Sequence, residues 1–129
     1  MFGHQPTPAG DIATPVENSF FTTGKDLYLY KDGAKHHISI FVATQKHITP
    51  DYTFDAGMAA QWPDGIAIAP RDKTIVKGTS DSTVYYVDKG QLRPMTFAAY
   101  KARKITVKQI TVLPQAEVDS YAKGDVLAK

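Results

Sequence analysis

Two stretches of nine residues decide the fold: Leu27-Tyr-Leu-Tyr-Lys-Asp-Gly-Ala-Lys35 and Val84-Tyr-Tyr-Val-Asp-Lys-Gly-Gln-Leu92. Each begins with a run of aromatic and aliphatic residues that is typical of a β-strand, and each then reaches a polar pair with glycine. Glycine adopts the positive φ that a tight hairpin turn requires without steric cost. The chain is therefore predicted to contain two copies of one β-hairpin, 57 residues apart.

The match between the copies continues beyond the hairpins. Two extra residues in the second copy then shift the offset from 57 to 59. The matched positions are Ile38 with Met95, Ile48 with Ile105, Trp62 with Tyr121 and Gly65 with Gly124. Apolar and glycine positions recur in the same order, which indicates an internal duplication.

Helices are predicted after the second strand of each copy. Ser39 and Thr96 are typical N-cap residues before the helices expected over 40–47 and 97–104. A second short helix is expected to start at Asp55 or Pro114 and to end at Gly65 or Gly124. Residues 66–69 and 73–77 are expected to pair as a hairpin that joins the copies.

The predicted fold class is α+β, with two tandem β-hairpin-plus-short-helix repeats packed into one β-rich domain. Residues 1–18 are expected to form an extended N-terminal arm, 19–70 the first repeat and 71–129 the second. Because a unit of about 50 residues rarely buries enough surface to stand alone, the repeats are expected to share one core. The expected core residues are Leu29, Ile38, Phe41, Ile48, Ile68, Ile75, Tyr86, Met95, Phe97, Ile105, Ile110 and Val112.

Composition excludes several classes of protein. The 129 residues include no cysteine, so disulfides and thiolate metal sites are excluded. No apolar run approaches the roughly 20 residues of a membrane-spanning helix, and no signal peptide is visible at the start of the sequence. The net charge of +2, taken as evenly spread, does not favour nucleic acid as a partner.

Catalytic and metal-binding motifs are not found in the sequence. There is no glycine-rich phosphate loop, nucleophile elbow or zinc-protease motif, so we predict a non-enzyme without cofactor. His36 and His37 are adjacent on a predicted strand and point to opposite faces, which argues against a shared metal ion. Asp51, Asp55 and Asp64 lack the spacing of a calcium loop and are better explained as cap and turn residues.

The second copy resembles a repeat of roughly 50 residues that occurs in bacterial cell-surface and secreted proteins. The resemblance rests on Thr74-Ile-Val-Lys-Gly, on Val84-Tyr-Tyr-Val-Asp-Lys-Gly-Gln-Leu-Arg-Pro and on Tyr121-Ala-Lys-Gly. It implies an extracellular or cell-surface location and an accessory structural or interaction role. Partners would be other copies of the chain or a surface protein.

Aromatic residues suggest an alternative function, which is binding of cell-wall polysaccharide. Exposed aromatic rings commonly hold sugars or protein partners. Because side chains alternate along a strand, either the tyrosines or the leucines of 27–30 are expected to face outward. The candidate ligand-binding residues are Trp62, Tyr28, Tyr30 and Tyr121.

Self-assembly is the finer prediction for the interaction role. The last strand of the second copy, around Val126 and Leu127, is expected to have an unpaired edge. The segment containing Phe20, Phe21 and Thr22 could pair with it in the same chain and close the sheet. Alternatively, with the arm as a tether, it could pair in a neighbouring copy and produce a head-to-tail filament.

Overall fold

The computed structural model describes residues 7–8 and 14–129. The chain divides into two compact units, residues Met1–Ile68 and Ala69–Lys129. Each unit holds one copy of the duplicated sequence, and each is described by itself below. The prediction that the repeats share one core stays a prediction.

Unit 1 contains a mixed sheet of five strands in the order β1-β5-β2-β3-β4. The strand β2 lies at its centre, antiparallel to β3 and parallel to β5. Two short helices complete the unit. The elements are β1 (Thr7–Pro8), β2 (Phe20–Thr22), β3 (Leu27–Lys31), β4 (Ala34–Ile38), α1 (Ile40–Lys46), β5 (Tyr52–Thr53) and α2 (Ala56–Ala59).

Unit 2 contains a mixed sheet of four strands in the order β8-β7-β6-β9. The strand β6 is antiparallel to β7 and parallel to β9, so it has the place that β2 has in unit 1. A short 3-10 helix, Val107–Gln109, precedes β9. The elements are β6 (Ile75–Gly78), β7 (Val84–Asp88), β8 (Gln91–Pro94), α3 (Phe97–Ala102), β9 (Ile110–Leu113) and α4 (Gln115–Ser120).

The registers of the two sheets correspond residue by residue. Phe21 is paired with Tyr28 and Tyr52 in unit 1, and Val76 is paired with Tyr85 and Thr111 in unit 2. The predicted fold class, α+β with two similar β-rich units, is confirmed.

The hairpin turns are the same in both units. Asp32 and Gly33 have φ of 53° and 77°, and Lys89 and Gly90 have the same two values. Two consecutive positive φ angles match the right-handed twist of the flanking strands, and glycine adopts the second at no cost. The predicted equivalence of Gly33 and Gly90 is therefore confirmed.

The first helix of each unit begins as the sequence predicts. Ser39 Oγ accepts a hydrogen bond from the Val42 N–H, and Thr96 Oγ1 accepts one from the Ala99 N–H, each at 3.1 Å. Each cap satisfies one of the backbone donors that a helix start leaves without an internal partner.

One face of the unit 1 sheet carries an aromatic core. Phe21 is fully buried and packs edge-on against Phe54 and Trp62, with ring centroids 5.4 and 5.5 Å away. Tyr28 and Tyr30 pack against the same cluster, so the tyrosines rather than Leu27 and Leu29 face it. In unit 2 the fully buried residues include Val76, Val87, Leu92 and Val118.

The core prediction is wrong at two positions. Phe97 is 75% exposed and Val112 is 56% exposed. Ile38, Ile75 and Ile105 are buried as expected, and the remaining predicted residues are half-buried. The periodic pattern that predicted burial for Phe97 and Val112 reports an apolar face, and here that face is open to solvent.

Two predictions about connections are also wrong. Residues 66–69 form no strand, and the Ile68 N–H instead donates to the His37 carbonyl, while β6 pairs with β7 and β9. The helices α2 and α4 end at Ala59 and Ser120, well before Gly65 and Gly124. Each of these glycines instead donates its N–H to the outer strand of its sheet, at the Lys35 or Leu92 carbonyl.

Candidate functional site

An apolar groove lies on one face of the unit 2 sheet. Lys77 is registered between Val84 and Val112, so the three side chains share this face. The helix α3 contributes Phe97 and Tyr100 to the lining, and the 3-10 helix contributes Val107. The groove has a volume of about 620 Å³.

Three of its apolar side chains are exposed to solvent. Phe97 is 75% exposed, Val107 78% and Val112 56%. Contiguous exposed apolar surface on a folded protein typically marks a place where another molecule binds. The groove therefore becomes the candidate binding site.

The polar groups around the groove include two lysines and one carboxylate. The Lys101 ammonium lies 5.5 Å from the centre of the Phe97 ring, and Lys77 Nζ donates to the Gly78 carbonyl at 3.0 Å. Asp81 accepts from the backbone N–H and the hydroxyl of Thr83, both at 3.1 Å. These hydrogen bonds lower the pKa of the Asp81 carboxyl, since they favour its charged form.

The same face of unit 1 shows that the fold does not require apolar residues here. Ala43, Asp51 and Thr53 stand at the positions equivalent to Tyr100, Ile110 and Val112. In unit 1, Asp51 accepts from the Phe20 N–H at 3.0 Å. Alanine and two polar residues support the same topology in unit 1, so the fold does not require the larger apolar residues of unit 2 at these positions.

The groove offers contact surface, hydroxyls and one ammonium. Its polar lining residues are Lys77, Ser82, Thr83, Thr96 and Tyr100. Thr96 is already engaged, because its hydroxyl caps α3 and donates to the Ala128 carbonyl at 3.2 Å. These are groups that bind and orient an apolar or weakly polar molecule.

The aromatic residues proposed as ligand-binding from sequence lie largely in the interior. Trp62 is 8% exposed and Tyr121 is 4% exposed. Tyr28 stacks on Phe21 at 5.2 Å, and Tyr30 packs edge-on against Trp62 at 5.8 Å. Trp62 and Tyr121 therefore do not form exposed platforms, because both fill the space below their own sheets.

The residues proposed for assembly are already paired inside their own units. Phe20, Phe21 and Thr22 form β2, whose two edges are occupied by β3 and β5. Leu127 is buried and its N–H donates to the Pro94 carbonyl at 2.8 Å, whereas Val126 is 57% exposed. Among the described residues of one chain, Phe20–Thr22 do not pair with the C-terminal segment, because β3 and β5 occupy both edges of β2. The expected pairing between neighbouring copies stays a prediction.

Both His36 and His37 have structural partners. His36 Nδ1 lies 2.7 Å from the Ile66 carbonyl, and His37 Nε2 lies 3.4 Å from Asp26 Oδ1. His47 ends α1 with a φ of 55°. Among residues 7–8 and 14–129, no group of three His, Cys, Asp or Glu is arranged to hold a metal ion.

Sequence reasoning missed the groove because it assigned Phe97, Ile110 and Val112 to the core. The signal that could have found it is the difference between the two copies at matched positions. Three groove positions carry larger or more apolar residues in the second copy than in the first, namely Tyr100, Ile110 and Val112 against Ala43, Asp51 and Thr53.

The structure thus defines an α+β protein of two similar β-rich units, with a candidate binding groove in the second. Comparison of the chain with protein-family models, curated proteins and solved structures gives no match. No helix in the described part of the chain has the length and apolar character needed to cross a bilayer.

Proposed function

We propose that this protein is a non-catalytic interaction module whose unit 2 groove binds an apolar segment of a protein partner. The observation that carries the proposal is the replacement of Ala43, Asp51 and Thr53 by Tyr100, Ile110 and Val112 at equivalent positions, of which Val112 is exposed and the other two are half-buried. The larger apolar residues at these groove positions give the second copy surface on which a ligand can bind.

The exposed side chains suit a protein partner. Burial of a valine or phenylalanine side chain contributes about 1.5–3 kcal/mol when it is complete. Phe97, Val107 and Val112 together supply exposed apolar surface that a protein partner can bury. The proposal includes a location at the cell surface or in the extracellular medium, which the resemblance of the second copy to repeats of bacterial surface proteins supports.

Binding of cell-wall glycan is the second candidate. One observation favours it, since Phe97 and Tyr100 put two aromatic rings into the groove beside the hydroxyls of Ser82 and Thr83. Aromatic rings stack on the apolar faces of sugars, and hydroxyls exchange hydrogen bonds with them. This role would move the sugar site from the buried Trp62 and Tyr121 to the groove.

Peptide selection combined with NMR tests the proposal. Peptides from a phage-displayed library are selected on the wild-type chain and counter-selected on a variant with Tyr100→Ala and Val112→Thr. These substitutions install the residues of unit 1, so the scaffold is expected to tolerate them. Ile40→Thr is the matched control, because Ile40 is equivalent to Phe97, is 87% exposed and lies outside the groove.

Selected peptides should shift the amide signals of β9 and α3 in the wild type and in the Ile40→Thr control. The groove variant should bind them at least roughly tenfold more weakly, which corresponds to about 1.4 kcal/mol. Shifts of the same signals by cell-wall oligosaccharides, with no selected peptide binding there, would favour the glycan function. Peptides that bind the groove variant as tightly as the wild type would overturn the proposal.

A further inference from the structure

The two sheets differ at one edge. In unit 1 the outer edge of β5 is covered by β1, with Thr7 paired to Tyr52 and Pro8 to Thr53 in parallel. The equivalent strand of unit 2 is β9, and it is the last strand of its sheet. Within the part of the chain that the structure describes, nothing pairs with the outer edge of β9.

The edge of β9 offers a longer strand and more apolar surface to an added strand than the edge of β5 does. The strand β5 has two residues, whereas β9 has four, Ile110–Leu113. Ile110 and Val112 also line the groove, so a strand added at this edge would lie beside exposed apolar surface. Unpaired edges with apolar neighbours are templates for an additional strand.

Charge is divided unevenly between the units, so the predicted even spread is wrong. Residues 1–68 contain four basic and seven acidic residues, which gives a net charge of −3. Residues 69–129 contain eleven basic and six acidic residues, which gives +5. The acidic unit carries β1, and the basic unit carries the free edge.

We propose that the N-terminal segment containing Thr7 and Pro8 of one copy adds as a strand to the outer edge of β9 in a second copy. The occupant is thus the same kind of strand that already covers the equivalent edge in unit 1. Opposite net charges draw unit 1 of one copy towards unit 2 of the next. The contact joins different surfaces of the two copies, so it repeats from copy to copy.

This inference rests on the proposed function, because it names the partner of the groove as another copy of the chain. It replaces the pairing of Phe20–Thr22 with the C-terminal segment that the sequence suggested. In this assembly β1 leaves the two-residue strand β5 of its own chain and pairs with the four-residue strand β9 of the second copy. The groove beside β9 supplies apolar contacts.

Sedimentation velocity over a range of protein and salt concentrations is the first test. Self-association should weaken by roughly tenfold between low and high salt, because salt screens the attraction between the units. Thr7→Pro should abolish it, since Pro8 has no N–H and Thr7 supplies the sole backbone donor of β1. Thr7→Val keeps that donor and should associate like the wild type.

The second test locates the contact. The chain has no cysteine, so Gln5→Cys provides a unique site for a nitroxide label. The nitroxide-labelled chain, at natural isotope abundance, is mixed with an isotope-labelled wild-type chain. Because only the wild-type chain gives NMR signals, any broadening of those signals reports a contact between two copies. The amides of Ile110–Leu113 should broaden, whereas broadening at Tyr52–Thr53 alone would mean exchange at β5 and would overturn the proposal.

The tests separate this inference from the proposed function. A chain that stays monomeric at millimolar concentration, while selected peptides still bind the groove, defeats the inference and leaves the proposed function standing. Broadening of the β9 amide signals, with no peptide binding at the groove, would support strand addition. It would contradict the proposed function of the groove as a binding site for other protein partners.

Discussion

Lys35 and Lys123 place their ammonium groups on equivalent backbone carbonyls, although their positions in the two repeats do not correspond. Lys35 Nζ donates to the Trp62 carbonyl and Lys123 Nζ to the Tyr121 carbonyl, both at 2.7 Å. Each ammonium also lies near the ring of an equivalent tyrosine, 5.8 Å from Tyr28 and 5.9 Å from Tyr85. The site of the cation is conserved between the units while the residue that supplies it has changed.

The lysine is supplied from one or the other of two positions that face each other in each unit. Lys35 bridges to Asp64 in unit 1, and the equivalent pair in unit 2 is Leu92 and Lys123. Lys35 also forms an ion pair with Asp64 at 2.9 Å. In unit 2 the apolar Leu92 is fully buried and the lysine has moved to the opposite side of the pair.

Installing the unit 2 pair in unit 1 tests this relationship. Lys35→Leu alone should lower the free energy of unfolding by about 1–3 kcal/mol, because the Trp62 carbonyl loses a buried donor. The double variant Lys35→Leu with Asp64→Lys should recover most of that loss, measured by urea denaturation. Lys31→Leu, at an exposed position, is the control and should change stability by less than about 0.5 kcal/mol. A double variant no more stable than Lys35→Leu alone would show that a lysine at position 64 cannot replace Lys35 as the donor to the Trp62 carbonyl.

Phe21 and Phe97 should differ sharply in their effect on stability. Phe21 is fully buried at the centre of the aromatic cluster, so Phe21→Ala should cost about 3–5 kcal/mol. Phe97→Ala should cost less than about 1 kcal/mol, because the ring is 75% exposed. Denaturant unfolding followed by the fluorescence of Trp62, the single tryptophan, measures unit 1 directly in the first case.

Phe21→Leu keeps the first comparison measurable if the alanine variant does not fold. It retains most of the side-chain volume and should cost about 1–1.5 kcal/mol. Circular dichroism follows the Phe97 variant, whose unit has no tryptophan. An effect of Phe97→Ala as large as that of Phe21→Ala would mean that the ring is buried in solution.

Gly65 should tolerate alanine less well than Gly124. A methyl group at Gly65 would overlap the His36 ring, with His36 Nδ1 only 2.6 Å away. At Gly124 the nearest atom is Gln91 Oε1 at 2.9 Å, the end of a flexible exposed side chain. Gly65→Ala should therefore cost about 1–3 kcal/mol and Gly124→Ala less than about 1 kcal/mol.

A double-mutant cycle checks the cause. His36→Ala removes the ring, so Gly65→Ala should lower the free energy of unfolding much less in the His36→Ala background than in the wild type. The double variant should therefore be more stable than the sum of the two single effects predicts. Equal costs for Gly65→Ala in the presence and absence of the His36 ring would rule out the overlap as the reason for glycine.

The sequence predicted the elements whose causes are local. The turns at Asp32-Gly33 and Lys89-Gly90 and the caps at Ser39 and Thr96 depend on residues next to each other, and all four are present. The offset between the two repeats also predicted which residues of unit 1 and unit 2 are equivalent.

Features that depend on distant contacts could not be predicted in this way. The parallel pairing of β2 with β5, and of β6 with β9, joins strands about 30 residues apart, and no local residue signals it. Gly65 lies against the His36 ring and well beyond the end of α2 at Ala59, so the predicted helix-end role is wrong. Phe97 and Val112 have the same periodicity that a core face would have, and only the fold shows that nothing in unit 2 covers them.

Tyr28 and Tyr85 should make the fold less stable at alkaline pH. Burial raises the pKa of both phenols, and neighbouring carboxylates add to the effect, namely Asp26 and Asp64 at Tyr28 and Asp81 and Asp119 at Tyr85. A pKa that is higher in the folded state than in the unfolded state contributes stability that is present below the unfolded value of about 10. That contribution is lost as the pH rises through the folded pKa.

Lys123 acts in the opposite direction and must be separated from the tyrosines. Burial lowers its pKa below the usual 10.5, with Asp119 opposing the shift. Its penalty is present at lower pH and is relieved as the pH approaches 10.5, so it partly masks the tyrosine effect. Comparing the wild type with Tyr28→Phe and Tyr85→Phe at about pH 9 and about pH 11 isolates the phenols, since both chains retain Lys123. The wild type should lose more stability than either variant over this interval, and its phenolate absorbance should show two late-ionising tyrosines, of which each variant lacks one. Equal losses in all three chains would mean that neither phenol resists ionisation in the folded state.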